Sequence, residues 1–189
     1  MNKENKIVLG IIFMTLAMFC LSVNDVLVKG LSSAFPIWEV IFFRALSGFI
    51  ISVVLVVVFG WQTLKTKKPL GHAIRAFSAV ACVVFYFFGL KYLMLSENVA
   101  IVHSAPILAT LLAIPILGEK LGLHRMVAVV LGFIGVLIIV KPGSDLFKIE
   151  SLFPLAAAFF MAVGYLATRF LMSTESSVAI IFYYSLALF

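Results

Sequence analysis

The chain has 189 residues, of which 64% are hydrophobic and 12% charged, and phenylalanine alone contributes 19. A water-soluble domain of this size has no core large enough for that apolar surface, so the composition excludes one and indicates a polytopic membrane protein. The formal charge of +6 is spread over short loops without a single basic face, which argues for membrane topology and against a nucleic-acid partner.

The basic start, Met1 to Lys6, resembles the head of a signal peptide, but the apolar run behind it is too long and lacks a small-residue cleavage site. It reads as a retained first span. Runs of about 17 to 25 apolar residues predict spans at Ile7 to Val28, Ile37 to Phe59, Ala73 to Leu93, Val99 to Leu117, Met126 to Val140 and Leu152 to Leu171, with a seventh starting near Ser177. The fifth is short unless it is counted from Leu121 or Gly122. The longest connection, Gly60 to His72, leaves no room for a soluble domain. Cys20 and Cys82 lie inside apolar runs and read as packing residues, with neither a disulfide nor a metal site expected.

If the spans alternate, nine basic residues fall on one face (Lys3, Lys6, Lys65, Lys67, Lys68, Arg75, Lys120, Arg125 and Arg169). Four fall on the other (Lys29, Lys91, Lys141 and Lys148). The positive-inside rule then predicts a cytoplasmic N-terminus. On that topology Asp25, Lys29, Glu39 and Arg44 belong to the outer half of the bilayer, with Arg44 about 12 Å below Pro36 along its helix.

Ser177 to Phe189 makes roughly 20 Å of helix against about 30 Å of hydrocarbon. Because a helix end in lipid leaves unpaired carbonyls, the expectation is a fragment of a longer transporter. An internal repeat points the same way. A shift of 140 residues superposes Phe19, Val23, Leu31, Ser33, Ile41, Phe42, Leu46 and Phe49 on identical residues from Phe159 to Phe189, and puts Lys29 on Arg169. Five spans per repeat is an odd number, so the second copy is expected upside down, as in many secondary transporters with sites at the repeat interface.

Ionisable residues inside spans cost about 2.5 to 3.5 kcal/mol by insertion scales and so ask for a partner, water or a ligand. In the first span Thr15, Met18, Ser22, Asp25 and Lys29 form one polar stripe at helical spacing. Lys29 reads as a membrane-edge residue that snorkels outward. Asp25 reads either as its i,i+4 partner or as part of a solute pathway. Arg44 is deeper, with Asp25 or Glu39 as counter-charge, and either locks two spans together or meets solute.

Arg75, Ser78, Cys82, Tyr86 and Gly89 share a face of the third span. Arg75 reads as a topology anchor, Ser78 and Cys82 as packing, and Tyr86 as a candidate aromatic wall. Pro106 is expected to bend the fourth span, with His103 a turn before the bend facing either a neighbouring helix or a solute. Gly132, Gly135 and Ala128 in the fifth span, and Ala158 and Ala162 in the sixth, read as packing surfaces. Tyr165, Tyr183 and Tyr184 are the repeat counterparts of Asp25, Phe43 and Arg44, so the second copy replaces charge with phenols. Enzyme readings find no His-Glu-x-x-His, Gly-x-Ser-x-Gly, phosphate loop or metal spacing.

Five segments carry a resemblance: Tyr86 to Leu93, Ala105-Pro106, Leu117 to Lys120, Gly132 to Val136 and Lys141 to Gly143. With them the chain resembles the first repeat of the EamA branch of the drug/metabolite transporter superfamily. More narrowly, Ser22, Asn24, Asp25, Val26 and Lys29, then Glu39 to Arg44, Thr63 to Lys65, and His72 with Arg75 resemble the S-adenosylmethionine uptake carriers of intracellular alphaproteobacteria. The resemblance implies a ten-span inner-membrane carrier of two inverted five-span repeats around a central cavity.

The reading is therefore an all-α polytopic membrane protein with one five-span repeat over residues 1–143 and the start of an inverted second repeat over 151–189. It is a secondary transporter of a small organic metabolite, with S-adenosylmethionine as the narrower substrate. The rival reading is a non-transporting membrane subunit or an inactive truncated gene product. Asn24, Asp25, Trp38, Arg44, Tyr86, His103, Tyr165 and Tyr184 are the expected solute-binding residues. No cofactor or metal is expected. The partners are a small organic solute and the bilayer, with a homodimer among the assemblies left open.

Overall fold

The computed structural model describes residues 3–31, 34–118, 122–140 and 148–189. Leu121, Ser33 of the repeat, Glu119, Lys120 and Lys141 to Gly143 lie outside them. The described residues form eight α-helices: α1 (Lys3–Leu31), α2 (Ile37–Phe59), α3 (Pro69–Tyr92), α4 (Leu95–Val102), α5 (Ala105–Leu117), α6 (Leu123–Val140), α7 (Leu152–Leu171) and α8 (Ser177–Leu188). Among them are six stretches long and apolar enough to cross a membrane, with α4 and α5 together making one. Val58 is 70% and Phe13 61% exposed, a surface that is stable where the solvent is hydrocarbon. The chain is a multi-pass membrane protein.

Two compact units divide it, residues 1–40 and 41–189. In the first, α1 runs three residues beyond the predicted Val28, and the hydroxyls of Thr15 and Ser22 donate to Ile11 O and Met18 O at 2.9 and 3.0 Å. Two members of the polar stripe thus spend their protons on their own helix.

In the second unit α3 and α7 form the centre. Ala157, Ala158 and Ala162 of α7 are fully buried, as are Phe87 and Leu90 of α3, and the small residues let the helix axes approach closely. Phe77 and Phe85 meet Phe160, while Phe88 and Tyr92 meet Phe153, at 5.6–6.0 Å between ring centroids. Numbers rise on α3 as they fall on α7, so the two helices are antiparallel. Gly132 lies directly against Ile107 of α5, but Gly135 has open space beside it, so only the first serves the expected packing.

The predicted fourth span differs in a specific way. It begins earlier, at Leu95, and breaks at His103-Ser104 into α4 and α5. Pro106 has no N–H for Val102 O, so the α-helical ladder loses a bond there. The chain closes the gap with a tighter turn, Ser104 N donating to Ile101 O at 3.0 Å.

A second set of aromatic contacts joins α2 to α8. Phe49 stacks on Phe189 at 5.1 Å, Phe42 meets Phe189 at 5.8 Å, and Phe49 meets Phe182 at 6.0 Å. Phe42 and Phe182, and Phe49 and Phe189, are the same residues related by the 140-residue shift. Exchanging counterparts turns the 5.8 Å contact into the 6.0 Å one and the stacked pair into itself.

Candidate functional site

Ile41, Arg44, Ala45 and Gly48 stand at i, i+3, i+4 and i+7 on α2 and so share one helical face. Together with Val83 of α3 and Tyr184, Ser185 and Leu188 of α8, they line a cavity of about 160 Å³. Three of its wall pairs are again counterparts under the 140-residue shift: Arg44 with Tyr184, Ala45 with Ser185, and Gly48 with Leu188. Ser185 Oγ donates back into its helix, 2.9 Å from Ile181 O. The remaining polar lining residues are Arg44 and Tyr184. The Arg44 guanidinium also lies 5.9 Å from the ring centre of Phe87. Among the described residues of its own unit, Arg44 has no carboxylate within ion-pair distance.

The Arg75 side chain turns towards α7 and α8. Its guanidinium sits 4.4 Å over the ring of Tyr184, and its Nε is buried without a hydrogen-bond partner among the described residues. Gly164 makes the room, since a Cβ there would lie 3.3 Å from Arg75 Nη1 and 3.2 Å from Ser78 Oγ. The spacing of Arg75 from the start of α3 gives its depth, but only the neighbouring helices decide where a long side chain turns.

The other expected site residues are spread out. Tyr165 lines a larger cavity of about 440 Å³ between α5, α6 and α7, together with Pro106, Thr110, Arg125 and Arg169. Tyr86 packs edge-on to Phe87, and its carbonyl accepts Asn98 Nδ2 at 3.3 Å. His103 is exposed at the α4–α5 break, and its Nδ1 is 2.7 Å from Val99 O of its own helix. In the first unit Asn24 and Asp25 are half-buried and Trp38 is exposed. The structure thus brings Arg44 and Tyr184 to one cavity, leaves Tyr165 at another, and turns the His103 ring onto its own backbone.

Sequence reasoning missed a polar clasp between the α2–α3 and α7–α8 connections. Lys67 N donates to Glu175 Oε1 at 2.9 Å, Ser176 Oγ to Thr63 O at 2.9 Å, and Tyr183 Oη to Leu64 O at 3.0 Å. Lys68 Nζ reaches Ser173 Oγ at 3.2 Å and lies 3.8 Å over the Phe170 ring. The His72 ring packs tilted against Tyr183, with centroids 4.7 Å apart and planes at 54°, and its Nε2 is 3.7 Å from Glu175 Oε2. The Lys67 N–H holds the Glu175 carboxyl below its ordinary range, helped by the Thr66 hydroxyl and the His72 ring, while desolvation works the other way.

No solved structure matches the chain. It is 31% identical over 176 residues to the "S-adenosylmethionine uptake transporter" of Rickettsia bellii, covering 93% of this chain and 60% of the relative. It is 35% identical over 123 residues to the "Riboflavin transporter" of Vibrio cholerae, covering 65% and 41%. To the "Pseudopaline exporter CntI" of Pseudomonas aeruginosa it is 28% identical over 178 residues, covering 93% and 62%. The chain thus spans about 60% of the length of the uptake transporter it matches. These relatives are named as transporters and not as enzymes. With residues 8–141 matched by the family model, the chain belongs to the EamA-like transporter family.

Proposed function

We propose that this chain belongs to a carrier that moves a small organic solute across the bacterial inner membrane by alternating access, with its N-terminus in the cytoplasm and without ATP hydrolysis of its own. The finer reading is uptake of S-adenosylmethionine. The observation that carries the proposal is the cavity whose walls are repeat counterparts, Arg44 with Tyr184, Ala45 with Ser185 and Gly48 with Leu188. Solute sites of carriers built from inverted repeats lie at the repeat interface. The exchange-symmetric phenylalanine contacts between α2 and α8 support the assignment of residues 1–143 to one repeat and 151–189 to the opening of its inverted copy.

Asp25 is the negative partner for a cationic group of the solute, and Arg44 gates its passage, locks helices together or meets the solute itself. Within residues 41–189, Tyr184 shares the cavity wall with Arg44, whereas Tyr165 lines another cavity and the His103 ring meets its own backbone. The nine-to-four distribution of basic residues supports the orientation.

The test is uptake of labelled S-adenosylmethionine and riboflavin by proteoliposomes of the full-length gene product, under imposed proton and sodium gradients. Saturable accumulation of one solute is the expected result, and accumulation no higher than in empty vesicles overturns the proposal. Asp25→Asn is expected to abolish uptake while the protein still inserts, and normal uptake by this variant removes Asp25 from the pathway.

A further inference from the structure

From the α2–α3–α8 cavity we infer that the solute carries a carboxylate and that Arg44 is the residue that takes it. The inference rests on the carrier reading and deepens it. The counterpart walls make the asymmetry of the cavity legible: at the position where α8 offers the phenol of Tyr184, α2 offers a guanidinium. A guanidinium has five N–H donors, no acceptor and a permanent charge. The remaining lining residues, Ile41, Ala45, Gly48, Val83 and Leu188, are apolar or small, and Ser185 is committed to its own helix. The described residues of this unit bring no carboxylate to Arg44. Water alone is a poor solution for a charge in a pocket with aliphatic walls, whereas a carboxylate engages the planar fork through two parallel bonds.

Arg75 strengthens the same polarity. Its guanidinium lies on the Tyr184 ring at 4.4 Å with Nε buried and without a hydrogen-bond partner among the described residues. One permanent cation lines the cavity with Tyr184 and a second lies on that residue's ring, and both bias the potential of the cavity towards positive. Arg75 does not line the cavity, so it is a positioning residue that holds the phenol and adds charge behind it. The volume of about 160 Å³ suits the amino-acid end of a solute and leaves a larger body outside it.

The test measures discrimination. Proteoliposomes of the full-length protein are offered S-adenosylmethionine and its decarboxylated analogue, S-adenosylmethioninamine, in competition. The wild type is expected to prefer the carboxylate by about 10- to 100-fold, the ratio expected for a hydrogen-bonded charge pair. Arg44→Gln is expected to bring the ratio near one. Arg75→Met is expected to lower it by a smaller factor, which a purely structural role would not do in protein that remains folded.

Arg44→Lys covers the case in which Arg44→Gln does not fold. It keeps the charge without the fork and is expected to reduce the preference without abolishing it. Equal uptake of both solutes by the wild type overturns this inference and leaves the carrier reading standing. A wild-type ratio in folded Arg44→Gln or Arg44→Lys also overturns it. Uptake of neither solute overturns the S-adenosylmethionine reading and this inference with it.

Discussion

Replacing Gly89 by alanine tests the packing that fixes α3 against α4 and α7. The new Cβ would overlap Asn98 Oδ1 and lie 3.0 Å from Asn98 Cγ and 3.2 Å from Pro154 Cδ. Asn98 is fully buried and Pro154 nearly so, so neither can move aside into open space. Overpacking of this kind costs about 1 to 3 kcal/mol. Displacing Asn98 also breaks its 3.3 Å bond to Tyr86 O, a further loss of about 1 kcal/mol. The expected destabilisation is therefore about 2 to 4 kcal/mol. Reversible unfolding in mixed micelles, titrated with a denaturing detergent, measures it. The double variant Gly89→Ala/Asn98→Ala removes the obstructing amide and is expected to be more stable than the sum of the single effects by about 1 to 2 kcal/mol. Wild-type stability in Gly89→Ala, or strict additivity in the double variant, would refute the packing argument.

The clasp supplies two more expectations. Tyr183→Phe deletes the bond to Leu64 O and is expected to cost about 1 kcal/mol, with faster amide exchange over the α2–α3 connection as the local readout. The Glu175 carboxyl titrates below its ordinary value of 4.5 because the Lys67 N–H, and then the Thr66 hydroxyl and His72, favour its charged form. A depressed folded value means that the carboxylate stabilises the protein above about pH 4.5 and that this contribution is lost as pH falls through the lower folded value. Melting temperatures recorded downward from pH 6 are expected to fall more steeply below pH 4.5 in the wild type than in Glu175→Gln. Equal slopes would show that the carboxylate makes no net contribution.

The spans were legible because hydrocarbon thickness imposes a length and a composition that few other constraints mimic. The break in the fourth span was less so. Pro106 signals a distortion, but whether a helix bends or parts into α4 and α5 depends on which neighbouring groups replace the missing bond. Depth could be read for Arg75 and direction could not. Its side chain passes Gly164 and settles on Tyr184, residues about 90 and 110 positions away, and helical spacing relates only residues on the same helix. The contact of His72 with Glu175 was invisible for the same reason. The 140-residue shift behaves differently, because a repeat relates distant residues directly. It makes Arg44 and Tyr184 counterparts by numbering alone, and the two side chains do share one cavity.

The clasp at the α2–α3 and α7–α8 connections has a mechanical consequence. Its bonds from Lys67, Ser176, Tyr183 and Lys68 act in parallel, so prising the two turns apart means breaking them together. That end of the helices behaves as one stiff plate. The α4–α5 junction has already surrendered a rung of its ladder at Pro106 and is held by the tighter Ser104 N to Ile101 O turn, so bending there has fewer bonds to break. Strain applied to this half of the molecule will therefore collect at His103-Ser104, the compliant joint beside a rigid one.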